Sequence, residues 1–255
     1  MVLAVDIGNT NVVLGGYEDD RLVFSARLAT ETKLEADQFA LQLRGIFDLY
    51  GVQAGNITDA ILSSVVPPLT DTFTRALRIA AGVETVVLTQ QLPTGVRVDI
   101  ERPEELGADL VAGAAGAKAL YRLPAVVVDM GTATKLTAVL EDGTVPGVSI
   151  LPGVFLSLNA LTNGASQLSG IALQPPTRAI GRNTAQSMQS GVVLGTAPML
   201  DGMLDRFEAE MGHIETVVAT GGAASFIVPH CRRKIVLEPD LLLHGLYAVY
   251  KNMKK

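Results

Sequence analysis

One short pattern occurs twice in this chain, once at its start and once near its middle. Residues 5–11 read Val-Asp-Ile-Gly-Asn-Thr-Asn, and residues 128–134 read Val-Asp-Met-Gly-Thr-Ala-Thr. In each copy an apolar run leads to an aspartate, then to a glycine and a series of short, mostly polar residues. An apolar run that is interrupted in this way and then resumes predicts a β-hairpin. Because the second copy opens the other half of the chain, the repetition predicts a duplicated α/β domain with a site between the halves.

The similarity between the two copies extends beyond the loops. Aligning Asp6 with Asp129 places Val12-Val13-Leu14 over Lys135-Leu136-Thr137. In both copies a polar turn and a further apolar stretch follow. We therefore expect each half to begin with equivalent strands.

The remaining periodicity alternates between helices and strands. A capping-box pattern at Thr32-Lys33-Leu34-Glu35 predicts a helix whose apolar positions continue to Tyr50. Further helices are predicted at 67–81, 111–120, after Pro152-Gly153, at 184–211 and at 239–251. Strands are predicted at 60–66, 84–88, 125–129, 135–140, 144–150, 214–219 and 234–237. This order predicts an α/β protein with mixed sheets flanked by helices, divided into domains at 1–120 and 121–255.

The composition excludes several classes of protein. The chain has 255 residues, with 20 basic against 26 acidic side chains, and no basic stripe that would make nucleic acid an expected partner. Its apolar runs are shorter than a bilayer span requires, and its start lacks the pattern of a signal peptide, so we expect a cytoplasmic protein without a membrane partner. Cys231 is the single cysteine, which excludes an internal disulfide.

The paired loops carry groups that suit a polyphosphate. An aspartate at a strand end can reach a cation, and the backbone N–H groups that follow it can bind phosphate oxygens. The alternative is that each loop is only a tight turn, since aspartate and asparagine tolerate turn geometry. A third loop, Thr220-Gly221-Gly222, could admit a ribose or a flat ring close to the backbone, or could simply join a strand to a helix. The Walker pattern is absent, so a P-loop enzyme is not favoured.

A carboxylate suited to acid–base chemistry precedes the alanine-rich helix. The segment from Arg102 to Leu110 reads Arg-Pro-Glu-Glu-Leu-Gly-Ala-Asp-Leu. Phosphoryl transfer to an alcohol requires a carboxylate within hydrogen-bond reach of the hydroxyl, and Asp109 can supply it. Asp109 could equally cap the helix, and both roles stay open at this point.

The combined motifs resemble those of type III pantothenate kinases. The resemblance covers essentially the whole chain and rests on Asp6 to Asn11, Pro103 to Asp109, Asp129 to Thr134, Pro152-Gly153, Gly181 to Thr184 and Thr220 to Gly222. It implies two ribonuclease-H-like domains, as in the actin-like ATPase and sugar kinase superfamily. It also implies ATP-dependent phosphorylation of pantothenate, the first step of coenzyme A biosynthesis. The enzyme would be a homodimer that needs Mg²⁺ and a monovalent cation, K⁺ or NH₄⁺.

The resemblance also implies a role for each matched residue. Asp109 would be the general base, Asp6 would be a ligand of Mg²⁺, and Asp129 would hold the monovalent cation. The residues that would bind ATP and its metal are Asp6, Gly8, Asn9, Thr10, Asn11, Thr132, Thr220, Gly221 and Gly222. The residues that would form the pantothenate pocket are Ile100, Gly107, Ala108, Asp109, Leu110 and Thr184.

The chain departs from the family's usual pattern at four positions. Leu110 stands where an arginine is usual, and Ile100 stands where an aromatic residue is common. Lys135 and Thr137 stand where the second loop usually continues with threonine and, two residues later, aspartate. One hypothesis is that Lys135 restores positive charge near the phosphates.

These departures leave two hypotheses about the function of the chain, an enzyme and a binding protein. The chain is either a working pantothenate kinase, weakened or altered in its acceptor, or a degenerate paralogue that binds nucleotide or pantothenate in a regulatory or partner-binding role. Losing one charge-assisted contact costs about 1.5–3 kcal/mol, which slows a kinase roughly ten- to a hundredfold without abolishing its activity. This magnitude favours the enzyme.

Overall fold

A computed structural model describes residues 1–163 and 172–255 of the chain. The strands are β1 Val2–Ile7, β2 Asn11–Glu18, β3 Arg21–Ala29, β4 Asp59–Ser64, β5 Thr85–Val87, β6 Arg97–Val98, β7 Ala125–Met130, β8 Ala133–Val139, β9 Thr144–Val145, β10 Val148–Pro152, β11 Thr216–Thr220 and β12 Val236–Leu237. The helices are α1 Ala36–Leu49, α2 Pro67–Ala81, α3 Ala108–Leu120, α4 Val154–Asn163, α5 Thr184–Met211, α6 Ala224–Ile227 and α7 Leu241–Met253.

The chain forms two compact units. The first consists of Met1–Arg97, Glu101–Ala119 and Asp240–Lys255, and the second of Val98–Ile100 and Leu120–Pro239. The predicted division near residue 120 is close to one of these boundaries. The predicted second domain, 121–255, also contained the last helix, whereas α7 lies in the first unit because it contacts β1, β2 and β4 there.

The sheet of the first unit has the strand order β3-β2-β1-β4-β5. The strands β1, β2 and β3 pair antiparallel, and β4 pairs parallel with β1 and β5. Alternate residues of β1, namely Leu3, Val5 and Ile7, belong to a buried cluster that includes Phe39 of α1 and Phe73 of α2. Because side chains alternate between the faces of a strand, Asp6 lies on the face opposite this cluster.

The sheet of the second unit repeats this plan, with the order β10-β8-β7-β11-β12. Here β7, β8 and β10 pair antiparallel, while β11 pairs parallel with β7 and β12. Val126, Val128 and Met130 of β7 join a buried cluster with Val193 and Leu200 of α5. Asp129 therefore lies on the opposite face of its sheet, as Asp6 does in the first unit. The predicted duplication is confirmed by the equal strand order and by the equivalent aspartates.

The two opening hairpins differ in length by one residue. Ile7 pairs with Val12 and Asp6 pairs with Val13, whereas Asp129 pairs with Lys135. Met130, the equivalent of Ile7, pairs with Thr134. The sequence alignment that placed Lys135 over Val12 is therefore wrong by one residue, because the second turn is shorter. Lys135 is the structural equivalent of Val13.

Several element boundaries also differ from those that the sequence predicts. The capping box of α1 uses Glu35 and Gln38 rather than Thr32 and Glu35. The alanine-rich helix begins at Ala108, so Asp109 lies in its first turn. The strand predicted at 144–150 is divided into β9 and β10. In contrast, α2 and α5 have the predicted bounds, because strong start signals, Pro67-Pro68 and the N-cap Asn183, precede long helical patterns.

In the first unit, α3 and α7 approach each other closely at two glycines. A Cβ on Gly245 would collide with the carbonyl group of Ala112, and a Cβ on Gly116 would collide with the carbonyl oxygen of Leu241. Both glycines therefore let the two helix backbones lie in direct contact. This contact fixes α3, which carries Asp109, against the last helix of the chain.

We expect Gly245→Ala to lower the free energy of unfolding by about 1–3 kcal/mol, because the added methyl group forces two packed backbones apart. Urea unfolding followed by circular dichroism measures this change. The matched control is Gly45→Ala in α1, where nothing lies within 4 Å of the added Cβ. The control should stabilise the protein by about 0.5–1 kcal/mol, as expected for alanine in an open helical position. Equal effects of the two substitutions would contradict the close packing.

Candidate active site

The first aspartate loop is anchored at a buried carboxylate. Asp6 is 9% exposed, and the Oγ of Ser63 donates a hydrogen bond to its Oδ1. The two residues are direct neighbours on the paired strands β1 and β4. Sequence reasoning missed Ser63, because the predicted strand at 60–66 is apolar apart from Ser63 and Ser64. Those serines were the available signal.

The turn after Asp6 is fixed by hydrogen bonds from two directions. The N–H of Gly8 donates to the carbonyl of Asn11 at 2.9 Å. Thr30, next to the end of β3, donates its hydroxyl to the carbonyl of Gly8 at 2.6 Å and its N–H to the carbonyl of Thr10 at 2.9 Å. The side chains of Asn9 and Thr10 are exposed. The loop is thus a tight turn, and it also presents polar side chains beside a buried carboxylate.

The second aspartate loop has a different electrostatic environment. The Nζ of Lys135 lies 3.1 Å from Oδ2 of Asp129, and the two side chains are 19% and 16% exposed. The cross-strand pairing of β7 with β8 puts them side by side. On the other side of Asp129, β11 contributes Thr220, the structural equivalent of Ser63. The hydroxyl of Thr220 donates to the carbonyl of Pro239 at 3.2 Å.

Two further glycines bring backbone segments against the second loop. A Cβ on Gly153 would collide with the carbonyl of Thr132, so the start of α4 lies directly on that loop. Gly221 has a φ of +89°, and a Cβ there would lie 2.6 Å from the carbonyl carbon of Met130. The N–H of Ala223 donates to the carbonyl of Met130 at 3.2 Å. The loop containing Thr220, Gly221 and Gly222 therefore contacts the end of the Asp129 strand.

The segment that carries Asp109 lies beside a cavity of about 690 Å³ in the first unit. The cavity is lined by the end of β4, by residues 88–91 and by the segment before α3, with Gly107, Ala108 and Val111 among the lining residues. Asp109 itself is 8% exposed, and its Oδ1 accepts a hydrogen bond from the N–H of Leu110 at 2.8 Å. A Cβ on Gly107 would lie 2.5 Å from that oxygen, so glycine leaves room for the carboxylate.

The end of β4 connects this cavity with the first aspartate loop. Ser63 binds Asp6, while the next residues, Ser64 and Val65, line the cavity. The N–H of Val65 donates to the carbonyl of Ile7 at 3.0 Å. One strand end thus brings together the Asp6 loop and the Gly107-Ala108-Asp109 segment within the first unit.

Of the remaining predicted site residues, Ile100 and Thr184 lie in the second unit and Leu110 lies in the first. Ile100 is half-buried in the short segment Val98–Ile100. Thr184 is the exposed first residue of α5, directly after the N-cap Asn183, whose Oδ1 accepts a hydrogen bond from the N–H of Gln186 at 2.9 Å. Leu110 is buried in α3 and offers no charge or donor to a ligand.

The two aspartates differ in their suitability for a cation. Mg²⁺ in kinase sites is commonly held by one or two carboxylates together with water and substrate phosphates, and Asp6 with its adjacent polar loop fits this arrangement. In residues 1–163 and 172–255, no cluster of three or more His, Cys, Asp or Glu side chains could hold a metal by itself. Asp129 already has the ammonium of Lys135 as its neighbour. Two unit charges of like sign about 4 Å apart repel by about 4 kcal/mol at an effective dielectric constant of about 20, so Lys135 opposes the binding of a further cation beside Asp129.

The other charged cluster of the second unit supports its fold. The buried carboxylate of Asp201 accepts hydrogen bonds from the N–H groups of Arg232 and Arg233, at 2.8 and 3.1 Å. Burial, with a contribution from the charge of Asp201, raises the pKa of the neighbouring Cys231 thiol to about 11. The thiol is therefore protonated at neutral pH and is not an activated nucleophile.

Two sheets of one strand order, each opened by an aspartate hairpin, define the duplicated ribonuclease-H-like class to which actin-like ATPases and sugar kinases belong. The activator of 2-hydroxyisocaproyl-CoA dehydratase from Clostridium difficile, solved with bound ADPNP, shares this fold. Its TM-score is 0.62 at 12% sequence identity, over 99% of this chain and 96% of that chain. No helix in the described ranges is long and apolar enough to cross a membrane.

Sequence comparison identifies the family within this class. A family model described as type III pantothenate kinase matches residues 2–206. The type III pantothenate kinase of Roseiflexus sp. (strain RS-1) is 39% identical over 251 residues, which is 98% of each chain. That of Thermomicrobium roseum is 39% identical over 255 residues, covering 100% of this chain and 98% of the relative. The chain belongs to the type III pantothenate kinase family, which confirms the predicted family and fold class.

We expect Ser63→Ala to raise the KM for Mg-ATP roughly tenfold, because the buried Asp6 carboxylate loses a donor that orients it. The free energy of unfolding should fall by about 1.5–3 kcal/mol, as for other hydrogen bonds to charged groups. Steady-state kinetics and urea unfolding measure the two effects.

The matched control is Ser25→Ala, which removes another serine-to-aspartate hydrogen bond in the same unit. The Oγ of Ser25 donates to Oδ1 of Asp240 at 2.7 Å, and Ser25 pairs across the sheet with Gly15 rather than with a residue of the Asp6 loop. This variant should lose stability without a change in the KM for Mg-ATP. If both variants changed the KM equally, Ser63 would have no specific role at Asp6.

Proposed function

We propose that this protein is a pantothenate kinase, which transfers the γ-phosphoryl group of ATP to the hydroxyl of pantothenate in the first step of coenzyme A biosynthesis. Membership of the family supports this activity. The observation that carries the proposal is the position of Asp109, whose neighbours Ala108 and Val111 line the 690 Å³ cavity. Ligand sites for small molecules commonly have volumes of about 300–1,000 Å³.

In this proposal Asp109 is the general base. The hydroxyl proton of pantothenate passes to the Asp109 carboxylate while the hydroxyl oxygen forms a bond to the γ-phosphorus of ATP. The bond from that phosphorus to the bridging oxygen breaks, and ADP leaves with the electron pair. The N–H of Leu110 holds the carboxylate in position before the substrate arrives, since it donates to Oδ1.

The ATP phosphates would be held by the first loop, through Gly8, Asn9, Thr10 and Asn11. Asp6 would be the protein ligand of Mg²⁺, which when bound neutralises phosphate charge and orients the γ-phosphoryl group. The further contacts proposed for ATP are those of Thr132, Thr220, Gly221 and Gly222. The support for this assignment is the set of hydrogen bonds and close backbone contacts at these turns, since donors that are already positioned need not be ordered during the reaction.

The acceptor pocket differs from the family pattern in its charge. Leu110 supplies no guanidinium, and Glu104 and Glu105 are the charged residues among those that line the cavity in the described chain. Arg102, which stands close by in sequence, pairs with Glu105 at 2.7 Å. Pantothenate carries a carboxylate, so we expect weaker binding than in a relative with the usual arginine. Ile100, Gly107, Ala108 and Thr184 complete the proposed acceptor site.

We further propose that the enzyme works in the cytoplasm as a homodimer. Support for a dimer comes from large apolar side chains of the second unit that are exposed on β10 and α4, namely Ile150, Phe155, Leu156 and Leu161. Exposed apolar patches of this kind commonly mark interfaces between proteins. Sedimentation equilibrium of the full chain tests the dimer.

The activity is tested by coupled ADP release with pantothenate, Mg-ATP and a monovalent cation. We expect wild type to turn over, Asp109→Asn to lose about 10²–10⁴-fold in kcat because the general base is removed, and Leu110→Arg to lower the KM for pantothenate. Asparagine is nearly isosteric with aspartate, so nucleotide binding should persist and serves as the control for folding.

Two results would contradict the proposal. An inactive wild type that becomes active in Leu110→Arg would support the degenerate paralogue with a regulatory or partner-binding role. Unchanged kcat in Asp109→Asn would remove Asp109 from the reaction and leave it as an acidic residue that stabilises the first turn of α3.

A further inference from the structure

A row of four side chains crosses one face of the second sheet. Strand pairing places Thr220 of β11 beside Asp129 of β7, then Lys135 of β8, then Ile150 of β10. This face is opposite to the one that contacts α5. Lys135 is therefore positioned by the backbone register of a central strand and not by a mobile surface loop.

The resemblance to the family predicts a monovalent cation at Asp129, yet the structure already has a positive charge there. The Nζ of Lys135 is 3.1 Å from Oδ2 of Asp129, which is a direct ion pair. Both side chains are less than one-fifth exposed, at 19% and 16%. A partly buried pair of this kind is screened by solvent and salt much less than a surface pair.

A second departure from the family pattern lies on the same face of β8. Thr137 is two residues after Lys135, so the pleat of the strand directs both side chains to one side. Thr137 is buried and replaces the usual aspartate with a neutral residue. The chain has therefore gained a positive charge and lost a negative charge at neighbouring positions, and both changes reduce the need for an added cation.

The first unit offers an internal comparison. The equivalent of Lys135 is Val13, which lies across from Asp6 and leaves that aspartate without a lysine beside it on β2. The duplicated scaffold thus carries one aspartate with an apolar cross-strand neighbour and one with an ammonium group. A lysine opposite the aspartate is therefore found in the second hairpin and not in the first.

We propose that the ammonium of Lys135 is a built-in replacement for the monovalent cation at Asp129, so that this enzyme works without K⁺ or NH₄⁺. This inference rests on the proposed kinase function. Lys135 is then a positioning residue, because it acts through the carboxylate of Asp129 and is not assigned a contact with the reacting atoms.

The test compares wild type with Lys135→Met in buffers that contain tetramethylammonium as the only monovalent cation, with and without added K⁺ or NH₄⁺. Wild-type turnover should change by less than about twofold on addition of either ion. Lys135→Met should lose roughly ten- to a hundredfold in kcat and regain it with K⁺ or NH₄⁺. The matched control is Lys234→Met, which removes an exposed lysine of the same unit and should behave as wild type.

A second readout does not depend on activity. Binding of Tl⁺, a spectroscopic substitute for K⁺, is measured by ²⁰⁵Tl NMR. Lys135→Met should bind Tl⁺ and gain thermal stability from K⁺, whereas wild type should do neither. The double variant Asp129→Asn with Lys135→Met should lose the binding.

Several outcomes would overturn the inference. The first is a fall in wild-type turnover of more than about tenfold when K⁺ and NH₄⁺ are omitted. The second is binding of Tl⁺ by wild type that is lost in Asp129→Asn. If Lys135→Met does not fold, the two wild-type measurements still decide the question. If wild type has no kinase activity under any condition, the proposed function fails, and Tl⁺ binding alone then decides whether Lys135 replaces the cation.

Discussion

The pairing register of the two opening hairpins determines the chemistry at each aspartate. In both sheets an aspartate precedes the last residue of the first strand and lies on the face opposite the helix-packed core. The register then selects its neighbours, which are Ser63 and Val13 for Asp6, but Thr220 and Lys135 for Asp129. One duplicated backbone therefore supports two electrostatic environments. The carboxylate of Asp6 has a hydroxyl donor and an apolar residue as its cross-strand neighbours, whereas the carboxylate of Asp129 has an ammonium group beside it.

Close backbone contacts hold these environments in place. The contact of Gly153 with Thr132, and the positive φ of Gly221 beside Met130, press two turns onto the second loop. Both positions lack a Cβ, which lets the backbone lie directly against the loop, and an added Cβ would collide with that backbone. Donors that are fixed before the substrate binds stabilise developing charge more effectively than donors that must first be ordered.

Much of the fold could be predicted from the sequence, because hairpins and long helices carry strong local signals. The repeat predicts the duplication, and the helix starts predicted at residues 67 and 184 are the starts that the structure has. Contacts between residues that are distant in the sequence could not be predicted. Ser63 is one residue of a mostly apolar strand, and only the pairing of β1 with β4 shows that it lies beside Asp6. The sequence alignment matched Lys135 with Val12 instead of Val13, because the second hairpin turn is one residue shorter. The position of α7 in the first unit depends on tertiary packing that no local pattern records.

A lysine and a bound ion are not equivalent ways to neutralise a carboxylate. An ion can be exchanged, and its occupancy depends on its concentration, whereas Lys135 is always present and its charge stays at a distance set by the β7–β8 pairing. The lysine also loses side-chain freedom only once, during folding, and not in each binding event. The lysine side chain, however, has a fixed length and starts from a fixed point on β8. It therefore pairs more readily with one carboxylate than with two. An aspartate in place of Thr137 would add a second carboxylate on the same face. The neutral threonine adds no second carboxylate beside the ion pair of Asp129 and Lys135, so the two departures from the family pattern change the charge of this face in the same direction.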